Sequence, residues 1–286
     1  MDGTYKDILV HLDNSPRADV RLNVALALAA RDGAHLAALC VARPRALAML
    51  VGEATVYDAQ MADEVLRKGR EFVAQASAAI EQRFAEACQR YAVAGEFRSA
   101  EGVAAENVAK HAHYADLVVV GQHDPESPAA FGEADIAEIA ILQSGRPVLV
   151  IPYFGDIGPV GRTVLVGWKS GRESARAIND ALPLLSRADS VTVLTIDPDG
   201  GISGDGAEPA GDICRHLARH GITATAAHAA SADVGEGDVL LNHVSDLGAD
   251  LVIAGGYGHS RTRQLILGGA TQSLLTSMTV PVLFSH

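Results

Sequence analysis

Residues 249–269 read Ala249-Asp250-Leu251-Val252-Ile253-Ala254-Gly255-Gly256-Tyr257-Gly258-His259-Ser260-Arg261-Thr262-Arg263-Gln264-Leu265-Ile266-Leu267-Gly268-Gly269. Leu251 to Ala254 is an apolar run without polar alternation, the pattern of a parallel strand buried on both faces. Gly255, Gly256 and Gly258 follow at once, and Gly268 and Gly269 close the stretch. Ala270 to Met278 then reads as a helix, stopped before Pro281. Strand, glycine loop and helix start form an arrangement suited to phosphate. N–H groups at a helix N-terminus are unpaired and partly positive; glycine lets an anion approach them and permits positive φ. The spacing is Gly255-x-x-Gly258, nine residues, Gly268. Two readings fit it: a phosphate cradle, or two turns joined by a surface segment.

Working outward, the stretch has a counterpart. Ala115-Asp116-Leu117-Val118-Val119-Val120-Gly121 matches Ala249 to Gly255 at an offset of 134, and Pro147-Val148-Leu149 matches Pro281-Val282-Leu283 at the same offset. Earlier in the chain, Lys6 to Val10 matches Arg162 to Val166 at 156, and Leu36 to Val41 matches Val191 to Ile196 at 155. Matches in one order at near-constant offset indicate duplication. The drop from 155 to 134 places an insertion in the first half, between Val41 and Ala115.

Each half alternates strands with helices. The first half reads as strand Asp7 to Leu12, a helix from about Pro16 to Arg31, and strand His35 to Val41. Asn14-Ser15-Pro16 supplies a cap and an N1 proline for that helix. The inserted segment Ala59 to Tyr91, rich in Ala, Glu, Gln, Arg and Leu, reads as a long helix. A third strand at Glu96 to Ser99, a helix from Val103 to His113, and strands Leu117 to Val120 and Val148 to Ile151 complete it. The second half reads as strand Thr163 to Gly167, helix Arg172 to Leu185, strand Ser190 to Ile196 and a Gly/Asp-rich loop at 197–206 expected to be mobile. Helix Ala210 to His220, strand Thr223 to His228, helix Asp238 to Leu247 and the glycine stretch follow. Alternating βα units predict α/β architecture: two tandem doubly wound parallel-sheet domains, residues 1–153 and 161–286, joined by a Gly/Pro-rich linker. In such sheets a ligand sits beyond the C-terminal strand ends, at the switch point. The end of strand one, the end of strand two and the loop after strand four should therefore converge in each half.

Composition narrows the partners. A formal net charge of −12 argues against nucleic acid and anionic membranes, though not against a locally positive pocket. No apolar stretch approaches the ~20 residues of a membrane helix, and the first residues carry no signal-peptide core. Cys40, Cys88 and Cys214 are scattered, which fits small hydrophobes in a reducing cytoplasm. His216 and His220 share one face of a predicted helix, but no third ligand is placed near them, so no metal site is expected. Walker-type lysine, Gly-x-Ser-x-Gly and His-Glu-x-x-His motifs are absent from the sequence, so no catalytic residue is assigned.

Together these residues resemble the universal stress protein family in its tandem form. Gly255, Gly258 and Gly268 match the glycine pattern of the family's nucleotide-binding branch, with Gly269 where Ser or Thr is usual. Ile8 to Ser15 and Arg146 to Val150, with its repeat, look like the family's first and last strands. The resemblance implies Rossmann-like, nucleotide-binding α-hydrolase-like domains in a stress-response protein that binds ATP or another adenine nucleotide, with Mg as a candidate companion. In the first half it assigns Asp13 and Val41 to the base end. There, however, Asp124 stands where Gly258 does, and Ala134 and Asp135 stand where Gly268 and Gly269 do. A carboxylate facing phosphate is repulsive, so no triphosphate is expected in that half. In the second half the implied contacts are Gly167, Trp168, Lys169, Ile196, Gly255, Gly258, His259, Gly268, Gly269, Ala270 and Thr271. Lys169 replaces the acid and either meets phosphate or is solvated. Trp168 either stacks on a base or packs in the core. Thr271, His259 and Ser260 are candidates to supply the hydroxyl or donor that Gly269 lacks.

The expected function is regulation by nucleotide occupancy, with at most slow ATP hydrolysis. A nucleotide-free interaction scaffold and a weak ATP-hydrolysing or adenylate-type enzyme are the alternatives. Pairing of the last strands within one chain would make an intramolecular pseudo-dimer, and a homodimer of chains is a further expectation. The inserted segment at 45–69 is the candidate for chain-specific contacts.

Overall fold

The computed structural model describes residues 3–42, 59–126, 136–196, 209–231, 234–257 and 269–286. In the first half, β1 (Asp7–Leu12), α1 (Ala18–Asp32) and β2 (His35–Ala42) are followed by α2 (Ala59–Tyr91) and β3 (Gly95–Glu101). Then come α3 (Ala104–Ala112), β4 (Leu117–Gly121), α4 (Ile136–Gln143) and β5 (Val148–Ile151). The second half opens with β6 (Thr163–Gly167), α5 (Arg172–Asp180), α6 (Leu182–Leu185) and β7 (Ser190–Ile196). It continues through α7 (Pro209–Arg219), β8 (Thr225–Ala229), α8 (Glu236–Leu247), β9 (Leu251–Gly255), α9 (Gly269–Ser277) and β10 (Val282–Ser285).

The ten strands form one sheet in the order β3-β2-β1-β4-β5-β10-β9-β6-β7-β8. Both halves thus run in the same doubly wound order, with the switch point between β1 and β4 in one and between β6 and β9 in the other. Within each half every pairing is parallel. Among the described strands only β5 and β10 pair antiparallel, with Val150 opposite Val282 and Val148 opposite Phe284. That pairing covers two edges that would otherwise present unpaired backbone groups. Alternate residues of each strand feed two apolar layers: Ile8, Val10, Leu117 and Val119 on one face, Leu9, Val118 and Val120 on the other.

Several expectations shift. α1 starts at Ala18 with Arg17 at its N-cap position and no side-chain cap, so Pro16 is not its first residue. The Ser15 hydroxyl is engaged elsewhere: it donates to Asp13 Oδ1 at 2.5 Å and accepts from Arg21. The single helix expected over Arg172 to Leu185 is two, broken at Ala181. Pro183 explains the break, because its ring would clash with the carbonyl four residues back and it has no N–H to continue the ladder. α4 was not expected at all. Strand β8 begins at Thr225 rather than Thr223. The Gly/Asp-rich loop at 197–206 and residues 45–58 of the inserted segment at 45–69 lie outside the described residues.

Candidate functional site

Beyond the C-terminal ends of β6, β7 and β9 lies a cavity of about 550 Å³. The strand order explains its position. Gly167 pairs with Leu194 on one side and Ala254 on the other, so three strand ends are level there. Gly167, Trp168, Lys169 and Ile196 line one part of it, and Gly255, Gly269, Ala270 and Thr271 line another. These eight sequence-assigned residues are therefore brought to one cavity. Gly258, His259 and Gly268 fall outside the described residues.

Each wall has a local cause. Trp168 follows β6 directly; its N–H donates to the Leu194 carbonyl at 2.8 Å, and its half-buried ring both packs on the core and faces the cavity. Lys169 pairs with Glu236 at the N-terminal turn of α8, Nζ to Oε1 2.8 Å. Neither of the two expectations for Lys169 included that partner. The chain leaves β9 through Tyr257, whose φ of 59° places a bulky residue in the left-handed region, a conformation costing about 1 kcal/mol. The Tyr257 N–H donates to Thr271 Oγ1 at 3.2 Å, tying that turn to the first turn of α9. Thr271 is itself buried.

The glycines at the ends of this stretch serve differently. A Cβ at Gly255 would lie 2.7 Å from Ser174 N and 2.8 Å from Glu173 C. Glycine is needed there because the start of α5 crosses the end of β9, a packing reason the sequence did not disclose. A Cβ at Gly269 would meet nothing within 4 Å among the described residues. The N–H groups at the start of α9 are among those a helix leaves without intrahelical partners, and α9 starts at the cavity.

Sequence reasoning missed the acids. Glu173, Glu236 and Asp238 all line the cavity. Each is engaged: Glu173 with Arg172 at 2.5 Å, Glu236 with Lys169, and Asp238 by the Ser273 hydroxyl at 2.6 Å. Burial raises the Glu173 carboxyl, but Arg172, a backbone hydrogen bond and His286 outweigh it and hold the group below its ordinary value. The repeat offers no signal for Glu236 and Asp238, since the 134 offset places Gly102 and Ala104 opposite them.

The first half is built differently at the equivalent place. Asp13 and Val41 sit at the adjacent ends of β1 and β2. Asp13, however, is taken by Arg21 from α1, with Nη2 2.5 Å from Oδ1. The same guanidinium donates to the His11 carbonyl and the Ser15 hydroxyl, both at 3.2 Å. Burial raises the Asp13 carboxyl, yet Arg21, His11 and the Ser15 hydrogen bonds prevail and hold it well below the usual carboxylate range. Arg21 is 4% exposed and lies against Gly121, where a Cβ would be 2.6 Å from Nη1. An arginine thus fills the space beside the acid and the end of β4. Asp124 accepts a hydrogen bond from the Glu126 N–H at 3.0 Å, while Ala134 and Asp135 lie outside the described residues.

Elsewhere, Cys40 and Cys88 are buried, Cys214 is half-buried, and all three are free thiols. His216 and His220 stack edge to face, 4.9 Å between centroids. No helix among the described residues is long and apolar enough to cross a membrane.

The chain is similar in fold to solved structures over nearly its whole length. A universal stress protein from Archaeoglobus fulgidus DSM 4304 superposes with a TM-score of 0.71 at 15% identity, covering 98% of this chain and 95% of that one. A functionally unknown protein from Pseudomonas aeruginosa PAO1 superposes with a TM-score of 0.60 at 15% identity, covering 99% and 93%. At such identities the likeness establishes the fold. No curated protein sequence matches the chain. The profile of the Universal stress protein family matches twice, over residues 4–152 and 161–286. With two matches spanning nearly the whole length, the chain belongs to the universal stress protein family, in tandem form.

Proposed function

We propose that the second half binds an adenine nucleotide, ATP or a close relative, in the cavity beyond β6, β7 and β9, and that the protein acts through occupancy of that site. The observation that carries this is the cavity itself. Its 550 Å³ is of the size that small-molecule sites use, and it joins an apolar wall to a helix start. Trp168, Ile196 and Leu194 offer apolar lining for a base. Gly269, Ala270 and Thr271 offer backbone N–H groups for phosphate. The acids around the cavity are compatible with an anion because Arg172, Lys169 and Ser273 each engage one of them. In this reading the domains are 1–153 and 161–286, and the first holds no nucleotide because Arg21 occupies its counterpart space. The antiparallel β5–β10 pair makes the two halves an intramolecular pseudo-dimer.

Denaturing the purified protein and identifying released small molecules by chromatography and mass spectrometry tests this. ATP, ADP or AMP at about one per chain is expected. Two per chain would overturn the asymmetry between the halves. None, with no calorimetric signal on adding Mg-ATP, would replace the binder with a nucleotide-free scaffold.

A further inference from the structure

Gln122 follows β4 of the first half, yet its side chain works on the second. Its Nε2 donates to the Leu275 carbonyl at 2.9 Å and to the Thr276 carbonyl at 3.1 Å. Both belong to the last turn of α9, where a helix leaves its carbonyls without intrahelical partners. Its Oε1 accepts the N–H of Tyr153, the first residue after Pro152, at 3.1 Å. Its own N–H donates to the Ile151 carbonyl at 2.8 Å. The partners are all backbone groups of known polarity, so the amide has one orientation that satisfies every contact. Gln122 is 6% exposed.

The other end of the same helix starts at the cavity. Gly269, Ala270 and Thr271 are the first three residues of α9 and line it. A helix of nine residues is about 13 Å long. Pivoting it by about 5° moves its first amides by about 1 Å, enough to spoil hydrogen bonds that need N···O near 2.9 Å. Fixing the last turn therefore helps set the direction in which the first turn, itself tied through Thr271 to Tyr257 and through Ser273 to Asp238, presents its N–H groups. Donors at the negative end of the helix also complement its dipole.

At this position the tether runs one way, although Arg176 of the second half donates to the Gly145 carbonyl, two residues past the end of α4, at 2.8 Å. By the 134 offset, Gly256 stands in the second half where Gln122 stands in the first. A Cβ there would come 2.8 Å from Ile141 Cγ2 on α4. At Gly256 the second half therefore meets α4 with bare backbone, while at Gln122 the first half reaches into α9 with an amide. We infer that Gln122 is a positioning residue for the phosphate end of the second-half site, so that the half without a nucleotide sets the affinity of the half that binds one. This rests on the nucleotide reading above.

The test uses the full chain and two ligands in calorimetry, ATP and adenosine. Gln122→Met keeps the length of the side chain and removes the donors. ATP affinity is expected to fall about three- to tenfold, while adenosine binding stays unchanged. Hydrogen exchange at the amides of α9 should quicken. Gln122→His keeps bulk and one N–H donor, and should fall between wild type and Gln122→Met; it also carries the comparison if the methionine variant does not fold. ATP affinity unchanged in both variants, or ATP and adenosine weakened equally, overturns the inference. Wild-type protein that binds neither ligand overturns the nucleotide reading itself, and the inference with it.

Discussion

Replacing Arg21 with methionine asks what the guanidinium contributes beside Asp13 at the end of β1. The substitution keeps the aliphatic stem and removes a guanidinium that reaches Asp13, Ser15 and the His11 carbonyl. Breaking a buried ion pair from one side typically costs 3–5 kcal/mol, because the other charge is left uncompensated. Here the Arg21 side chain is 5% exposed but that of Asp13 is 33% exposed. Water screens the remaining carboxylate, so we expect a loss of about 2 kcal/mol, or roughly 4–8 °C in the melting temperature. The sign with pH follows from Asp13. Its carboxyl lies below its ordinary value in the folded protein, so its ionisation stabilises above about pH 4 and that contribution drains away as pH falls further. The gap between wild type and Arg21→Met is therefore widest at pH 7 and narrows below about pH 4. Urea unfolding at pH 7 and pH 2.5 measures it. Adding Asp13→Asn to Arg21→Met should recover part of the loss, since the stranded charge is gone. An equal gap at both pH values, together with strictly additive single and double variants, would refute the electrostatic argument and leave only packing.

The two ends of the glycine stretch give opposite expectations. Gly269→Ser adds a hydroxyl at the start of α9 where a Cβ meets nothing among the described residues; ATP affinity should rise about two- to tenfold, read by calorimetry, with stability unchanged or slightly higher. Gly255→Ala forces a methyl against the backbone of Glu173 and Ser174 at 2.7–2.8 Å. That should destabilise by about 1–3 kcal/mol in urea unfolding and weaken nucleotide binding, because the residues it displaces line the cavity. Wild-type behaviour of Gly255→Ala would mean that α5 does not press on the end of β9.

What the sequence disclosed and what it withheld divide along a physical line. Leu117 to Val120 and Leu251 to Ala254 could be read as inner parallel strands because both their faces are buried, and burial on two faces leaves an unbroken apolar run. The long helix over Ala59 to Tyr91 was visible from propensity alone. The converging strand ends followed from the repeat and the rule for open sheets. Side-chain partners did not follow. The Asn14-Ser15-Pro16 signal lost to Asp13, which claims the Ser15 hydroxyl that a cap would use. Glu236 reaches Lys169 across 67 positions, and Gln122 reaches α9 across 153. Nothing local in either sequence neighbourhood marks such a contact.

One aligned position accounts for much of the asymmetry between the halves. Shifting α1 by the 156 positions that superpose β1 on β6 brings Leu22 to Ile178, Ala25 to Ala181, Leu28 to Leu184 and Ala29 to Leu185. All eight are buried, so the two helical segments present matching faces to matching strands. On that alignment Arg21 falls on Ala177, which is also buried. An arginine at this place spans the distance to the strand ends and neutralises Asp13 from within; an alanine reaches no further than the helix surface and leaves the strand ends open. The acid follows the same logic. Asp13 is tolerable beside a guanidinium, whereas Lys169, its counterpart, looks outward to Glu236. Charge at the end of the first strand is thus settled inside the protein in one half and at the rim in the other. In the proposed reading, the half that settles it at the rim is the one that takes the nucleotide.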